Sequence, residues 1–246
     1  MKRDKFFKSS YTSSSPHFPF PSSPAPIAYA HLSAASQKRI PPPAILTQYS
    51  SRVWVCPTHV LDYDELEGAD LHSSQLTFYK IHWDGVYFEF AIRCPQWADR
   101  AVVLGAGDSR IVPADGSPFH RLSWAPEIPG CAIYYREPAL AGGESTMNWG
   151  YGTGERWYLE NIAVLLKKIL DSLGIAPSDT LFFGSSGGGY MGILLAAMLH
   201  ARAAAINPHL ILESTYPFQT KLFQSSVLKP GESLISLRTH VLRLIE

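Results

Sequence analysis

Leu181-Phe182-Phe183-Gly184-Ser185-Ser186-Gly187-Gly188-Gly189-Tyr190-Met191-Gly192, continued by an apolar run to His200, governs how this chain reads. Leu181 to Phe183 predicts a short buried strand, and Tyr190 to Leu199, rich in Ala, Leu and Met, predicts a helix. Between them, Gly184-Ser185-Ser186-Gly187-Gly188 fits G-x-S-x-G with Ser186 at its centre. A strand that turns abruptly into a helix strains its pivot residue, so the flanking positions must be small. The pivot serine then stands at a helix N-terminus, where free N–H groups and the helix dipole favour developing negative charge. Ser185 is the weaker pivot, because the residue two before it is Phe183 and not glycine.

On either side of this stretch, strands and helices alternate. Ala101 to Leu104 predicts a buried strand running into Gly105-Ala106-Gly107-Asp108, and Cys131 to Tyr135 predicts the next, ending in Arg136-Glu137-Pro138. After Asn148-Trp149-Gly150-Tyr151-Gly152, Thr153 can cap a helix from Glu155 to Leu173, with Ile162, Leu165, Leu166, Ile169 and Leu173 on one face. Ala203 to Ile206 predicts the strand after the glycine-rich helix, closed by Asn207-Pro208. Such alternation predicts an α/β fold, a mainly parallel sheet with helices on both faces. Before it, Leu76 to Trp83 and Val86 to Arg93 alternate around Asp84-Gly85, a hairpin signal, and predict an antiparallel β section. Phe78, Tyr79, Tyr87, Phe88 and Phe90 are expected in its core. Val53-Trp54-Val55 reads as a further strand, and Leu234 to Ile245 as an amphipathic helix with Arg238 poorly placed on it.

The expected organisation is therefore a Ser/Pro-rich disordered tail over residues 1–48, a β section over 49–98 and an α/β core over 99–246. The tail is basic and acid-poor, which also fits an organellar targeting peptide, and it lacks the apolar segment of a secretory signal. Zero formal net charge over 246 residues gives no reason to expect a nucleic acid or an anionic membrane as partner. Three widely spaced cysteines, Cys56, Cys94 and Cys131, make no metal-binding spacing and predict reduced thiols in the cytoplasm. No apolar run approaches the roughly 18 residues of a membrane span. No cofactor or metal is expected.

The order of these elements resembles the α/β-hydrolase family, over roughly Ala101 to His209. The run of Glu137-Pro138, then Asn148 to Gly152, a long helix, the GSSGGG elbow and an alanine-rich strand ending in Asn207-Pro208 is similar to one subset. That subset comprises hydrolase-like proteins associated with bacterial capsular polysaccharide synthesis and accessory secretion of glycosylated adhesins. The resemblance implies a serine O-acyl esterase, deacetylase or acyltransferase acting on a small-molecule or glycan ester, with protein partners in a glycan or secretion assembly. It makes Ser186 the nucleophile and Gly187 one donor of the oxyanion hole, with the second from Gly105, Ala106 or Gly107.

The family's order is Ser, then Asp or Glu, then His, and after Ser186 this chain holds no Asp. Its acids there are Glu213, Glu232 and Glu246, and its histidines are His200, His209 and His240. His200 ends the helix, away from Ser186. His209 follows a strand's C-terminal end but comes early for a base, and His240 falls in the last expected helix. The residues after Asn207-Pro208 read poorly as two further strand–helix units, so the expectation is the first part of a hydrolase fold: a fragment, a product of an altered reading frame, or a pseudoenzyme. Two alternatives stand beside the enzyme. One is a non-catalytic or truncated member serving as a binding partner. The other is a dinucleotide-binding protein, since Gly187-Gly188-Gly189-Tyr190-Met191-Gly192 also fits G-x-G-x-x-G with Glu213 beyond it. Against the latter, Gly184-Ser185-Ser186 separates these glycines from the strand.

Overall fold

The computed structural model describes residues 56–107, 119–138, 149–152 and 156–210. Seven strands make one sheet in the order β1-β2-β3-β5-β4-β6-β7: β1 Thr58–Asp62, β2 Ser73–Trp83, β3 Val86–Cys94, β4 Ala101–Gly105, β5 Cys131–Arg136, β6 Thr180–Ser185 and β7 Arg202–Ile206. Two helices pack on it, α1 Tyr158–Ser172 and α2 Ser186–Leu199. The β2–β3 and β3–β5 pairs are antiparallel; β1–β2, β4–β5, β4–β6 and β6–β7 are parallel. The fold is thus a mainly parallel α/β sheet with an antiparallel part.

The hairpin forms where its turn chemistry asks for it. Asp84 and Gly85 take φ of 48° and 74°, the left-handed pair a two-residue hairpin turn requires. Arg156 pins the turn from outside, donating from Nη1 to the carbonyls of Trp83 and Asp84 while its guanidinium lies over the Trp83, Phe88 and Tyr158 rings. Phe78, Tyr79, Phe88 and Phe90 are buried as expected, but Tyr87 is 53% exposed, because strand alternation at the β3 start points it away from the core. The hairpin is continuous with the rest of the sheet, since Phe90 and Ile92 of β3 pair with Tyr135 and Ile133 of β5.

The core has two layers, one on each face of the sheet. On one face the apolar side of α1 (Leu159, Ile162, Leu165, Leu166, Ile169 and Leu170) is fully covered against Ile81, Val103, Ile133 and Phe182, together with Leu194 and Leu195 of α2. On the other, Phe78, Ala91, Leu104, Phe119, Leu122 and Tyr134 pack beneath a short 3-10 helix, Leu122–Glu127. Burial of this kind stabilises by roughly 25 cal/mol per Å² of apolar surface. That helix, another at Tyr63–Gly68, and edge strand β1 carry no expectation from the sequence; each is short and has little period to display.

Two boundaries differ from expectation. Helix α1 starts at Tyr158 and not at Glu155, because Trp157 is held extended (φ −84°, ψ 100°) next to the anchored Arg156. Helix α2 starts at Ser186, four residues before Tyr190, so all three consecutive glycines are helical. Glycine disfavours helix by about 1 kcal/mol each relative to alanine; close packing at Gly188 and Gly189 overrides that preference. The expected strand at Val53–Val55 and the helix at Leu234–Ile245 lie outside the described residues, as do Thr153, Glu213 and His240. Among the described residues no helix is long and apolar enough to cross a membrane.

Candidate functional site

Ser186 sits where β6 ends and α2 begins, with φ of 56°, a left-handed conformation that costs a non-glycine residue about 1–3 kcal/mol. The glycines around it explain how the strain is held. A Cβ on Gly184 would come within 2.4 Å of the Gly188 carbonyl oxygen, and one on Gly188 within 2.7 Å of Gly105 O and 2.9 Å of Ala106 O. Strand β6, the first turn of α2 and the loop after β4 therefore touch backbone to backbone. Only residues without a side chain fit, and the close approach forces the turn at Ser186. The same packing accounts for the helical glycines. It also argues against the dinucleotide frame, because Gly188 and Gly189 are spent on contacts with Gly105, Ala106 and Ala205 instead of lining an open phosphate loop.

His209, directly after Asn207-Pro208 at the end of β7, meets Ser186 twice. Its Nε2 lies 2.9 Å from Ser186 Oγ, and its backbone N–H donates to the Ser186 carbonyl at 3.4 Å. Both side chains are half-buried. A left-handed Asn207 (φ 45°) turns the chain back toward the elbow. On the ring's other side, Trp149 Nε1 donates to His209 Nδ1 at 3.3 Å. This contact favours one tautomer. An indole N–H has no lone pair, so Nδ1 must accept, and in a neutral imidazole the proton then sits on Nε2. In this arrangement His209 Nε2–H donates to Ser186 Oγ. A general base needs the opposite tautomer, with the lone pair on Nε2 and the proton on Nδ1.

Trp149 is itself placed by buried chemistry. It is fully buried with φ of 52°, and the following Gly150 (φ 79°) donates its N–H to Glu137 Oε1 at 3.0 Å. Glu137, only 1% exposed, thus holds the Trp149–Gly150 turn from the end of β5. Tyr151 Oη and Tyr190 Oη are 2.8 Å apart, tying the same loop to α2, and burial pushes both phenols above their ordinary range. Glu137 and the Trp149 segment are therefore one unit with the elbow. Their sequence carried a family resemblance but no sign of a contact across 60 residues to His209.

The loop after β4 lies against the elbow, as the Gly188 contacts require. Within it, the Gly107 N–H donates to His120 Nδ1 at 3.3 Å, and Tyr135 Oη sits where a Gly105 Cβ would be. Arg121, next to His120 and left-handed at φ 62°, donates from Nη2 to Ser185 Oγ at 2.6 Å. Neither His120 nor Arg121 stands out in the sequence. His200 takes a left-handed conformation as the C-cap of α2, at the far end from Ser186. Among the described residues no group of three or more His, Cys, Asp or Glu is arranged to hold a metal ion.

No protein-family model matches the chain, and no curated protein does. Solved structures with a similar fold exist. One is from the glycosylation-associated Gap123 complex of Streptococcus agalactiae, 18% identical with a TM-score of 0.50, over 71% of this chain and 34% of that one. Another is the capsule O-acetyltransferase of Neisseria meningitidis serogroup A, 15% identical with a TM-score of 0.52, over 69% of this chain and 68% of that one. A hyperthermophilic esterase from Pyrobaculum calidifontis is 12% identical with a TM-score of 0.47, over 71% of this chain and 61% of that one. The chain spans about a third of the length of the Gap123 protein. At these identities the likeness to the first two is one of fold.

Proposed function

We propose that this chain, whose fold is α/β-hydrolase-like, handles acyl esters through Ser186, with His209 as its base. The observation that carries the reading is the strained Ser186, held at φ 56° with its Oγ 2.9 Å from His209 Nε2. Backbone strain at a residue that also meets an imidazole is what a nucleophile needs and what a packing serine does not. Once the imidazole releases the Trp149 indole and carries its own proton on Nδ1, Ser186 Oγ attacks the acyl carbon and its proton passes to the lone pair of His209 Nε2. The tetrahedral oxyanion is met by the Gly187 N–H at the start of α2 and by a second N–H from the Gly105–Gly107 loop. Gly107 already donates to His120, so Ala106 is the better second donor. Collapse of the intermediate expels the alcohol, which takes the proton from His209. Water or an acceptor hydroxyl then reverses the sequence. The acyl ester we favour is carried on a glycan, as the name of the capsule O-acetyltransferase with this fold suggests. Three buried cysteines, none in a disulfide, fit a reducing compartment such as the cytoplasm.

The Trp149 hydrogen bond favours a second reading. It holds the imidazole in the tautomer that cannot take the serine proton, so the fold serves as a binding partner in a glycan-modifying assembly. Fluorophosphonate labelling of the purified chain, read by mass spectrometry, separates the two. Activity predicts a label on Ser186, absent from Ser186→Ala and slowed about 10²- to 10⁴-fold in His209→Ala. A folded protein that takes no label in excess probe would end the enzymatic reading.

A further inference from the structure

Beside Ser186 stands a cation that the acyl chemistry leaves unused. The Arg121 guanidinium is half-buried, and one donor, Nη2, bonds the neutral hydroxyl of Ser185. Its central carbon lies 5.5 Å from the Trp124 ring centroid and 5.6 Å from that of Phe183. The two aromatic faces hold the group in place and leave its charge intact. Its backbone is fixed as well, since Tyr134 Oη donates to the Arg121 carbonyl at 3.1 Å. Among the described residues no carboxylate pairs with it, and burial lowers its affinity for its proton. A charge withdrawn from water is ordinarily paired. A guanidinium has five N–H donors in a planar fork that fits carboxylate and phosphate oxygens two at a time.

Position gives this cation its use. Ser185 directly precedes Ser186, with consecutive Cα atoms about 3.8 Å apart, so the guanidinium is anchored one residue from the elbow serine. The neighbouring His120 accepts from Gly107 of the β4 loop, so residues 120 and 121 bind both walls of the elbow. We infer that the Arg121 fork, seated over Trp124 and Phe183, is an anion subsite that takes a carboxylate or phosphate on the substrate beside the acyl group handled at Ser186. The subsite rests on the acyl reading and extends it by naming a substrate class: an anionic ester, not a neutral one.

Binding tests it without turnover. Inorganic phosphate, and separately succinate, are titrated into the purified chain at constant ionic strength, following tryptophan fluorescence, to which Trp124 under the guanidinium contributes. Saturable binding is expected in the wild type and in Ser186→Ala, weakened at least tenfold in Arg121→Gln. The tighter of the two anions identifies the group recognised. Absence of saturable binding by either anion, or an Arg121→Gln protein that titrates like wild type, overturns the subsite. Should Arg121→Gln not fold, Arg121→Lys decides, because it keeps the charge and loses the fork. At least threefold weaker binding sustains the fork, and unchanged affinity overturns it. Anion binding in a protein that fluorophosphonate never labels would sink the acyl chemistry and leave the subsite standing; labelling without anion binding would do the reverse.

Discussion

Two turns of this molecule share a backbone conformation and little else. At Asp84-Gly85, φ values of 48° and 74° close a surface hairpin, and a Cβ on Gly85 would meet nothing within 4 Å. At Ser186, φ of 56° occurs at the junction of β6 and α2, where added Cβ atoms on Gly184 or Gly188 would strike backbone. The hairpin turn is a local solution. Asp and Gly tolerate positive φ, and the strands on either side need only be joined. The elbow is a tertiary one. Serine has no liking for that conformation, and three backbone segments pressed together impose it. Strain that is local and cheap marks a connection, whereas strain that the surroundings enforce marks a site.

Substitutions at the two turns put that contrast to the test. The largest effect is expected at Ser186→Ala, which should reduce fluorophosphonate labelling at least about 10³-fold with little change in melting temperature. Next is Gly188→Ala: its new methyl would press on the Gly105 and Ala106 carbonyls, and overpacking against backbone should cost about 3 kcal/mol in a urea titration. Gly85→Ala, with open space around it, should lose only about 1 kcal/mol, the cost of positive φ for an L-residue. Equal losses at the two glycines would show that the elbow is no more packed than the hairpin. Ser186→Gly should move the other way, gaining about 1 kcal/mol as the strain is relieved while labelling disappears.

The smallest expected effect concerns the tautomer. Removing the indole N–H by Trp149→Phe frees His209 Nδ1 to carry the proton, and one net hydrogen bond of about 1 kcal/mol corresponds to a roughly fivefold faster label. A slower label in a folded Trp149→Phe protein would mean that the indole supports the base instead of restraining it. The measurement also compares the two loops that reach the elbow. The segment at Trp149 governs His209, while the segment at Arg121 governs Ser185.

Much of the fold was legible because its signals are short-range. Asp84-Gly85 between alternating aromatics gave the hairpin, the 3.6-residue period of Ile162, Leu165, Leu166 and Ile169 gave α1, and small residues around Ser186 gave the elbow. The helical start at Ser186 was not legible, since three glycines argue locally against a helix, and the contacts with Gly105, Ala106 and Ala205 that outweigh them come from other strands. Tyr87 was misplaced because alternation gives two faces without saying which is covered near a strand's end.

At the site, the residue types are written into the chain itself: a serine between glycines at a strand–helix junction, a histidine after Asn207-Pro208, an acid at the end of β5. Local composition suffices for these, because a sharp turn tolerates only small flanks and such punctuation ends strands. Who meets whom is a property of the assembled sheet. The assembly set His209 against Ser186, turned the Trp149 indole onto the ring's far nitrogen, let Glu137 hold that turn from within, and brought Arg121 across 64 residues to Ser185. Hydrogen bonds depend on distances of a few tenths of an ångström and on the direction of single N–H groups. Those quantities exist only once separate strands of the sheet have been laid side by side.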